Sequence, residues 1–195
     1  MLILVTGGSR SGKSGFALEL AEQYDVPRIF LATAQPFDDE MARRIAAHQR
    51  ARPTGWAVRE EPVLVPETLA AALQSARTVI VDCMTVWMAN LLLADDHFDE
   101  GAAATRAAAL VSCVREADAG AKSAPGGAKS GSGAVIVVTN EVGSGIVPDN
   151  AISRRFRDCA GRANQVIARA ADEVYFMVSG LPMRIKPRGG EGYYA

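Results

Sequence analysis

Apolar and polar positions along this chain follow two alternating periods. Short apolar, β-branched runs occupy Leu2–Val5, Arg28–Thr33, Thr78–Cys83, Val135–Thr139 and Val174–Val178. Several are apolar at successive positions, the pattern of parallel strands buried on both faces between helix layers. Segments near 13–24, 38–52, 66–76, 86–94, 101–118 and 150–172 read as helices between them. Strand alternating with helix predicts a doubly wound α/β domain with ligands at the carboxyl ends of the strands. One stretch breaks the pattern. From Ala119 to Ala134 every residue except Lys122 and Lys129 is Gly, Ala, Ser or Pro. Such a stretch buries too little apolar area to offset its ordering entropy. It is expected to be a flexible loop, 119–134, within a single domain spanning 1–195, because another strand of the same sheet follows it.

The first strand runs into Gly7-Gly8-Ser9-Arg10-Ser11-Gly12-Lys13-Ser14. This fits G-x-x-x-x-G-K-[ST] in the context the pattern needs, a strand before and a helix after. The glycines let successive backbone N–H groups converge on phosphate oxygens, at the positive end of the helix that starts there. Lys13 reaches the β- and γ-phosphates, and the Ser14 hydroxyl can ligate Mg²⁺. The fold class is therefore α/β, a three-layer P-loop NTPase-like domain with a mostly parallel sheet. Such domains place an acidic residue at the end of a neighbouring strand to hold the metal shell. Val79-Ile80-Val81-Asp82 has that form, and Thr85 is available to cap the next helix, so the metal role is favoured for Asp82. Asn140-Glu141 ends another apolar run. Its carboxylate either lines the same crevice or opens the Gly143–Gly145 turn.

Composition narrows the classes. The 195 residues fit one domain with a sizeable core. With 21 basic and 22 acidic residues the net charge is −1, which gives no nucleic-acid footprint. No run approaches the ~20 apolar residues of a membrane span, and the first strand leaves no room for a signal peptide. Cys83, Cys113 and Cys159 are scattered and odd in number, as small buried hydrophobes in a reducing cytosol would be. A cytoplasmic protein is expected.

Of the two histidines, His97 sits in the acidic run Asp95–Glu100 and is expected at the surface. His48 follows Met41 and Ile45 at i+7 and i+3, on one helix face pointing toward the core or a cleft. Arg43, Arg44, Arg50 and Arg52 surround it, which disposes the imidazole to stay neutral and nucleophilic and attracts polyphosphate. A lone histidine on an apolar face is as a rule structural, so the pattern leaves both roles open.

Further motifs fall in a specific order. After Gly7–Ser14 come Ala32-Thr33-Ala34-Gln35, Asp38-Asp39-Glu40-Met41, Arg44-Ile45 with His48, and Trp56 before Glu60-Glu61-Pro62. Asp82-Cys83-Met84-Thr85 with Trp87 and Asn90 follows, then Val138–Pro148, Phe156-Arg157-Asp158, Asn164-Gln165 and Ala171–Val174. Together they resemble the bifunctional adenosylcobinamide kinase and adenosylcobinamide-phosphate guanylyltransferase family of cobalamin biosynthesis, over nearly the whole chain except 95–134 and the last residues. The resemblance implies phosphorylation of the aminopropanol hydroxyl of adenosylcobinamide by a nucleoside triphosphate. It then implies transfer of GMP from GTP to that phosphate, releasing pyrophosphate. It makes His48 the residue that carries GMP covalently. It puts nucleotide contacts on Gly7, Gly8, Ser9, Arg10, Ser11, Gly12, Lys13 and Ser14, and on Thr33, Ala34 and Gln35. Further contacts are implied at Gln49, Arg50, Ala51 and Arg52, at Glu60 and at Asp82. It implies GTP or ATP with Mg²⁺, a small-molecule corrinoid partner and a homotrimer.

The chemistry is consistent with this. Attack by neutral imidazole on the α-phosphorus gives a phosphoramidate and splits one hard transfer into two. Lys13, Mg²⁺ on Ser14 and the backbone nest neutralise the leaving pyrophosphate. The alternatives are a P-loop kinase of another small metabolite with a structural His48, and a GTP-binding switch. The guanine-selecting Asn-Lys-x-Asp of switch proteins is missing, since Asn140 is followed by Glu141.

Overall fold

A computed structural model describes residues 1–36, 38–50, 54–123 and 133–189. The elements are β1 (Leu2–Gly7), α1 (Lys13–Ala21), β2 (Arg28–Ala32), α2 (Asp39–Arg50), β3 (Ala57–Glu60), α3 (Val65–Leu73) and β4 (Thr78–Asp82), followed by α4 (Met84–Ala94), α5 (Glu100–Ser123), β5 (Ala134–Val138), α6 (Ala151–Ala170), β6 (Glu173–Val178) and β7 (Leu181–Lys186). The strands form one sheet in the order β3-β2-β4-β5-β1-β6-β7. All neighbours pair parallel except β7, which returns antiparallel along β6.

The period of two divides the core. Leu2, Leu4, Ile29, Leu31, Val79, Val81, Val135 and Val137 face one side, where α3, α4, α5 and α6 cover them. Their alternates Ile3, Val5, Phe30, Ile80, Ile136 and Val138 face the other, packed on Ala17, Leu20 and Ala21 of α1. Strands apolar at every position are thus satisfied by helices on both faces.

Three features depart from the sequence pattern. β3 is exposed at every position, so no apolar run marks it; it is recruited by pairing with β2, Ala32 opposite Glu60. β7 is likewise exposed over five of its six residues, and its Pro182 is tolerable because an edge strand has no outer partner to receive an N–H. α5 runs to Ser123, through the first residues of the Gly/Ala/Ser-rich stretch, and Ala134 already belongs to β5. Alanine is the best helix former, and it continues the helix where Ser and Gly alone would not. Residues 124–132 of that stretch lie outside the described residues. No helix among the described residues is long and apolar enough to cross a membrane.

Candidate active site

The loop after β1 is shaped by close packing. Gly7 has φ 149°, and a Cβ there would lie 2.6 Å from the Met177 carbonyl oxygen, so no side chain fits. Arg10 (φ 56°) and Gly12 (φ 91°) take left-handed conformations that curl the backbone. The Gly180 N–H, in the turn between β6 and β7, donates to the Ser11 carbonyl at 3.1 Å and anchors the loop from outside.

Lys13, the first residue of α1, is only 7 % exposed. Its Nζ donates to the Gly8 carbonyl at 2.5 Å and lies 3.4 Å from Ser11 Oγ. Burial holds its pKa below the usual lysine value, and nearby Cys83 and Asp82 partly offset that. A desolvated ammonium enclosed by its own loop is an anion receptor with little water to displace.

The loop forms one wall of a cavity of about 610 Å³ over the carboxyl ends of the strands. Ser9 through Gly15, Ala34, Glu60, Asp82, Cys83 and Asn140 line it, together with Ile45 and Ala47 of α2. A second open cleft, about 650 Å³, lies between α5 and α6 and holds none of the expected residues. The sequence-derived set is therefore largely gathered in one place. Glu60 and its neighbour are clearly separated. Glu60 faces the cavity and accepts from Gln49 Nε2 at 3.0 Å, whereas Glu61 Oε1 accepts from the N–H groups of Val63 and Leu64 ahead of α3.

Other expectations are redistributed. Gly7, Gly8, Thr33, Gln35 and Gln49 do not line the cavity. The Thr33 hydroxyl, fully buried, donates to the Cys83 carbonyl at 2.8 Å and accepts from the Cys83 N–H at 2.9 Å, tying the ends of β2 and β4 together. Thr85 does not cap α4. Cys83 holds the cap position in extended backbone, and the Thr85 hydroxyl bonds Thr139 and Asn140 instead. Glu141 belongs to the turn, its Oε1 accepting from Gly143 N–H at 3.2 Å. Trp87 and Asn90 are structural donors, to the carbonyl of Val63 and to those of Thr33 and Pro62. His97 is exposed, as expected. Only Cys159 is fully buried; Cys83 and Cys113 are half-buried. Burial pushes the Cys83 thiol up to about 12, so it stays neutral beside the phosphate loop. The backbone of His48 and Arg50 belongs to α2, but their side chains, with Ala51 and Arg52 altogether, lie outside the described residues.

The donor set suits magnesium. Ser14 and Asp82 place a hydroxyl and a carboxylate on the same cavity. Among the described residues no cluster of three or more His, Cys, Asp or Glu could hold a metal. Mg²⁺ needs no such cage, because it takes one or two protein oxygens and fills its octahedron with phosphates and water.

With the cavity defined, comparison with known proteins decides the family. The family model described as cobinamide kinase / cobinamide phosphate guanyltransferase matches residues 3–185. The chain belongs to this family. Within the cobinamide kinase / guanyltransferase family, the "Bifunctional adenosylcobalamin biosynthesis protein CobP" of Pseudomonas aeruginosa is 40% identical over 185 residues, covering 94% of this chain and 96% of that protein. The CobU protein of Salmonella typhimurium is 40% identical over 190 residues, 95% of this chain and 100% of that one. Among solved structures, the flagellar accessory protein FlaH of Methanocaldococcus jannaschii superposes with a TM-score of 0.53 at 12% identity, covering 100% of this chain and 81% of that one. An ATPase of a type III secretion system gives 0.51 at 15% identity, covering 94% and 56%. These two share the fold with this family member and nothing more specific.

Sequence reasoning missed the polar cluster of Thr139, Asn140 and Asn164, in which Thr139 and Asn164 are buried and Asn140 is half-buried. The available signal was an apolar strand that ends abruptly in Thr-Asn.

Proposed function

We propose that this protein runs both reactions for which its family is named, phosphorylating a cobinamide and then transferring GMP to the product, in the one cavity over the sheet. The observation that carries the proposal is that the phosphate loop and helix α2 line the same cavity, with residue 48 one turn beyond Ile45 on that helix. In the first reaction the corrinoid alcohol oxygen bonds to the γ-phosphorus as the β–γ bridging bond breaks, and the nucleoside diphosphate leaves with the electron pair. In the second, a His48 ring nitrogen bonds to the α-phosphorus of GTP and pyrophosphate leaves. The corrinoid phosphate then attacks the same phosphorus, breaking the N–P bond and restoring the imidazole.

Lys13 and the loop N–H groups hold the β- and γ-phosphates in the first reaction and the departing pyrophosphate in the second. Ser14 and Asp82 would hold Mg²⁺, which supplies charge neutralisation to the phosphates when bound. Glu60, at the β3 end of the cavity, accepts hydrogen bonds from the guanine edge. We place the enzyme in the cytoplasm as a homotrimer, the assembly to be checked by light scattering.

Incubation with α-labelled and, separately, γ-labelled GTP tests the proposal. Acid-labile, alkali-stable label retained from the α-position alone, and lost in His48→Ala, is expected. Phosphorylation of cobinamide with no α-label retained on the wild-type protein would leave a kinase only.

A further inference from the structure

We propose that Asn140 is a catalytic residue of the phosphorylation step, its side-chain amide holding a non-bridging oxygen of the γ-phosphoryl group during transfer. The inference rests on the bifunctional reading above and deepens it. Its first support is topological. β5 lies between β1, which delivers Lys13 and Ser14, and β4, which delivers Asp82. Adjacent strands are about 5 Å apart, so the end of β5 stands over the gap between the phosphate loop and the metal-side carboxylate. Asn140, two residues past that strand, lines the cavity there. Helix α2 joins β2 to β3 and serves the other end, where the α-phosphate and base belong.

The second support is how the residue is held. The Asn140 N–H donates to Thr85 Oγ1 at 2.6 Å, and its carbonyl accepts from Asn164 Nδ2 at 3.1 Å. Thr139 Oγ1 donates to Asn164 Oδ1 at 2.8 Å and lies 3.0 Å from Thr85 Oγ1. The proton directions follow. Thr139 gives its proton to Asn164, so Thr85 donates to Thr139 and is left to accept from Asn140. Thr85, Thr139 and Asn164 are all buried, and a closed buried network of this kind is rigid. Both backbone polar atoms of Asn140 are thereby committed, and no described residue takes its side-chain amide in a hydrogen bond. Glu141, the only carboxylate nearby on this loop, is turned to Gly143.

The chemistry suits a neutral donor. As the alcohol oxygen bonds to the γ-phosphorus and the bridging bond breaks, the alcohol proton leaves to water and the diphosphate takes the electron pair. In the transition state the equatorial oxygens flatten and move toward the incoming alcohol, so a donor set for that position acts on the transfer and not on ground-state binding. An amide N–H fixed by its backbone stabilises the charge on those oxygens without the repulsion a carboxylate would bring.

Three measurements on Asn140→Ala test this: kcat for cobinamide phosphorylation, Kd for a non-hydrolysable triphosphate, and the rate of protein labelling from α-labelled GTP. We expect kcat to fall about 10²-fold, the loss typical of one removed transition-state donor, with the other two within about threefold of wild type. Asn140→Asp conserves the side-chain volume and guards against a folding failure; its added charge should lower kcat at least as far. Asn164→Ala, a positioning variant, should lower kcat by about tenfold with Kd unmoved. If Asn140→Ala keeps wild-type kcat, or loses all three in proportion, the assignment is overturned. A wild-type protein that takes α-label yet phosphorylates no cobinamide overturns the bifunctional reading and this role with it.

Discussion

The two ends of the cavity are built to different standards. At the phosphate-loop end, Lys13 and Ser11 are buried, Gly7 admits no side chain, and the β6–β7 turn bonds the loop from outside. At the α2 end, no described side chain of the helix is buried; Ile45 and Ala46 are half-buried and the rest exposed. Burial sets how much free energy it takes to displace an element. The phosphate-loop end is therefore fixed in advance, while the described side chains of the helix proposed to carry the nucleophile are lightly packed. Two reactions at two phosphorus atoms of one nucleotide call for this division, with one end constant and the other adjustable.

Substitutions should separate the ends. The largest effect is expected for His48→Ala, which abolishes α-labelling of the protein while cobinamide phosphorylation persists; loss of both reactions would make the two ends one unit. Lys13→Ala should lower both reactions by about 10²–10³-fold, the cost of removing a principal anion contact, as steady-state assays of each would register. Gly7→Ala drives a Cβ against the Met177 carbonyl and should cost about 1–3 kcal/mol in chemical denaturation. Arg43→Ala, on exposed α2, should stay within about 0.5 kcal/mol of wild type. A Gly7 variant as stable as the Arg43 variant would erase the contrast.

The smallest effects concern pH. Lys13 has a folded pKa below its unfolded value, so triphosphate affinity should decline on the alkaline side earlier than an exposed lysine would dictate, as titration of Kd against pH would reveal. Between those two pKa values the folded state binds fewer protons, so Lys13 lets stability rise with pH there. Cys83 runs the other way. Its thiol is raised from 9.0 to about 12, so its contribution is complete below pH 9 and lost as pH climbs toward 12. Iodoacetamide should modify it slowly at pH 8, although it lines the cavity.

Much of this was legible in the sequence. Residues 7–14 display their chemistry because the phosphate nest is local, made by consecutive backbone groups and a lysine on the next turn. The place of Asp82 on the cavity was legible too, as the end of an unmistakable strand. Thr33 and Thr85 were not, because short polar side chains bond whatever the fold brings near them; for Glu141 the turn, one of its two readings, is the one that forms. Thr33 meets Cys83 across 50 residues of chain and Thr85 meets Thr139 across 54. β3 and β7 escaped because an exposed edge strand is specified by its partner's free hydrogen-bonding groups, not by its own hydrophobicity.

The bond from Gly180 to Ser11 joins the most local motif of the molecule to one of its most distant partners. Residues 7–14 carry the whole phosphate nest in consecutive positions, yet the loop's outer support comes from the β6–β7 turn, more than 160 residues further along the sequence. Closing so long a loop costs chain entropy that the local motif alone does not recover. The nest is thus written locally and held globally, and a substitution in the β6–β7 turn reaches the phosphates without touching the motif.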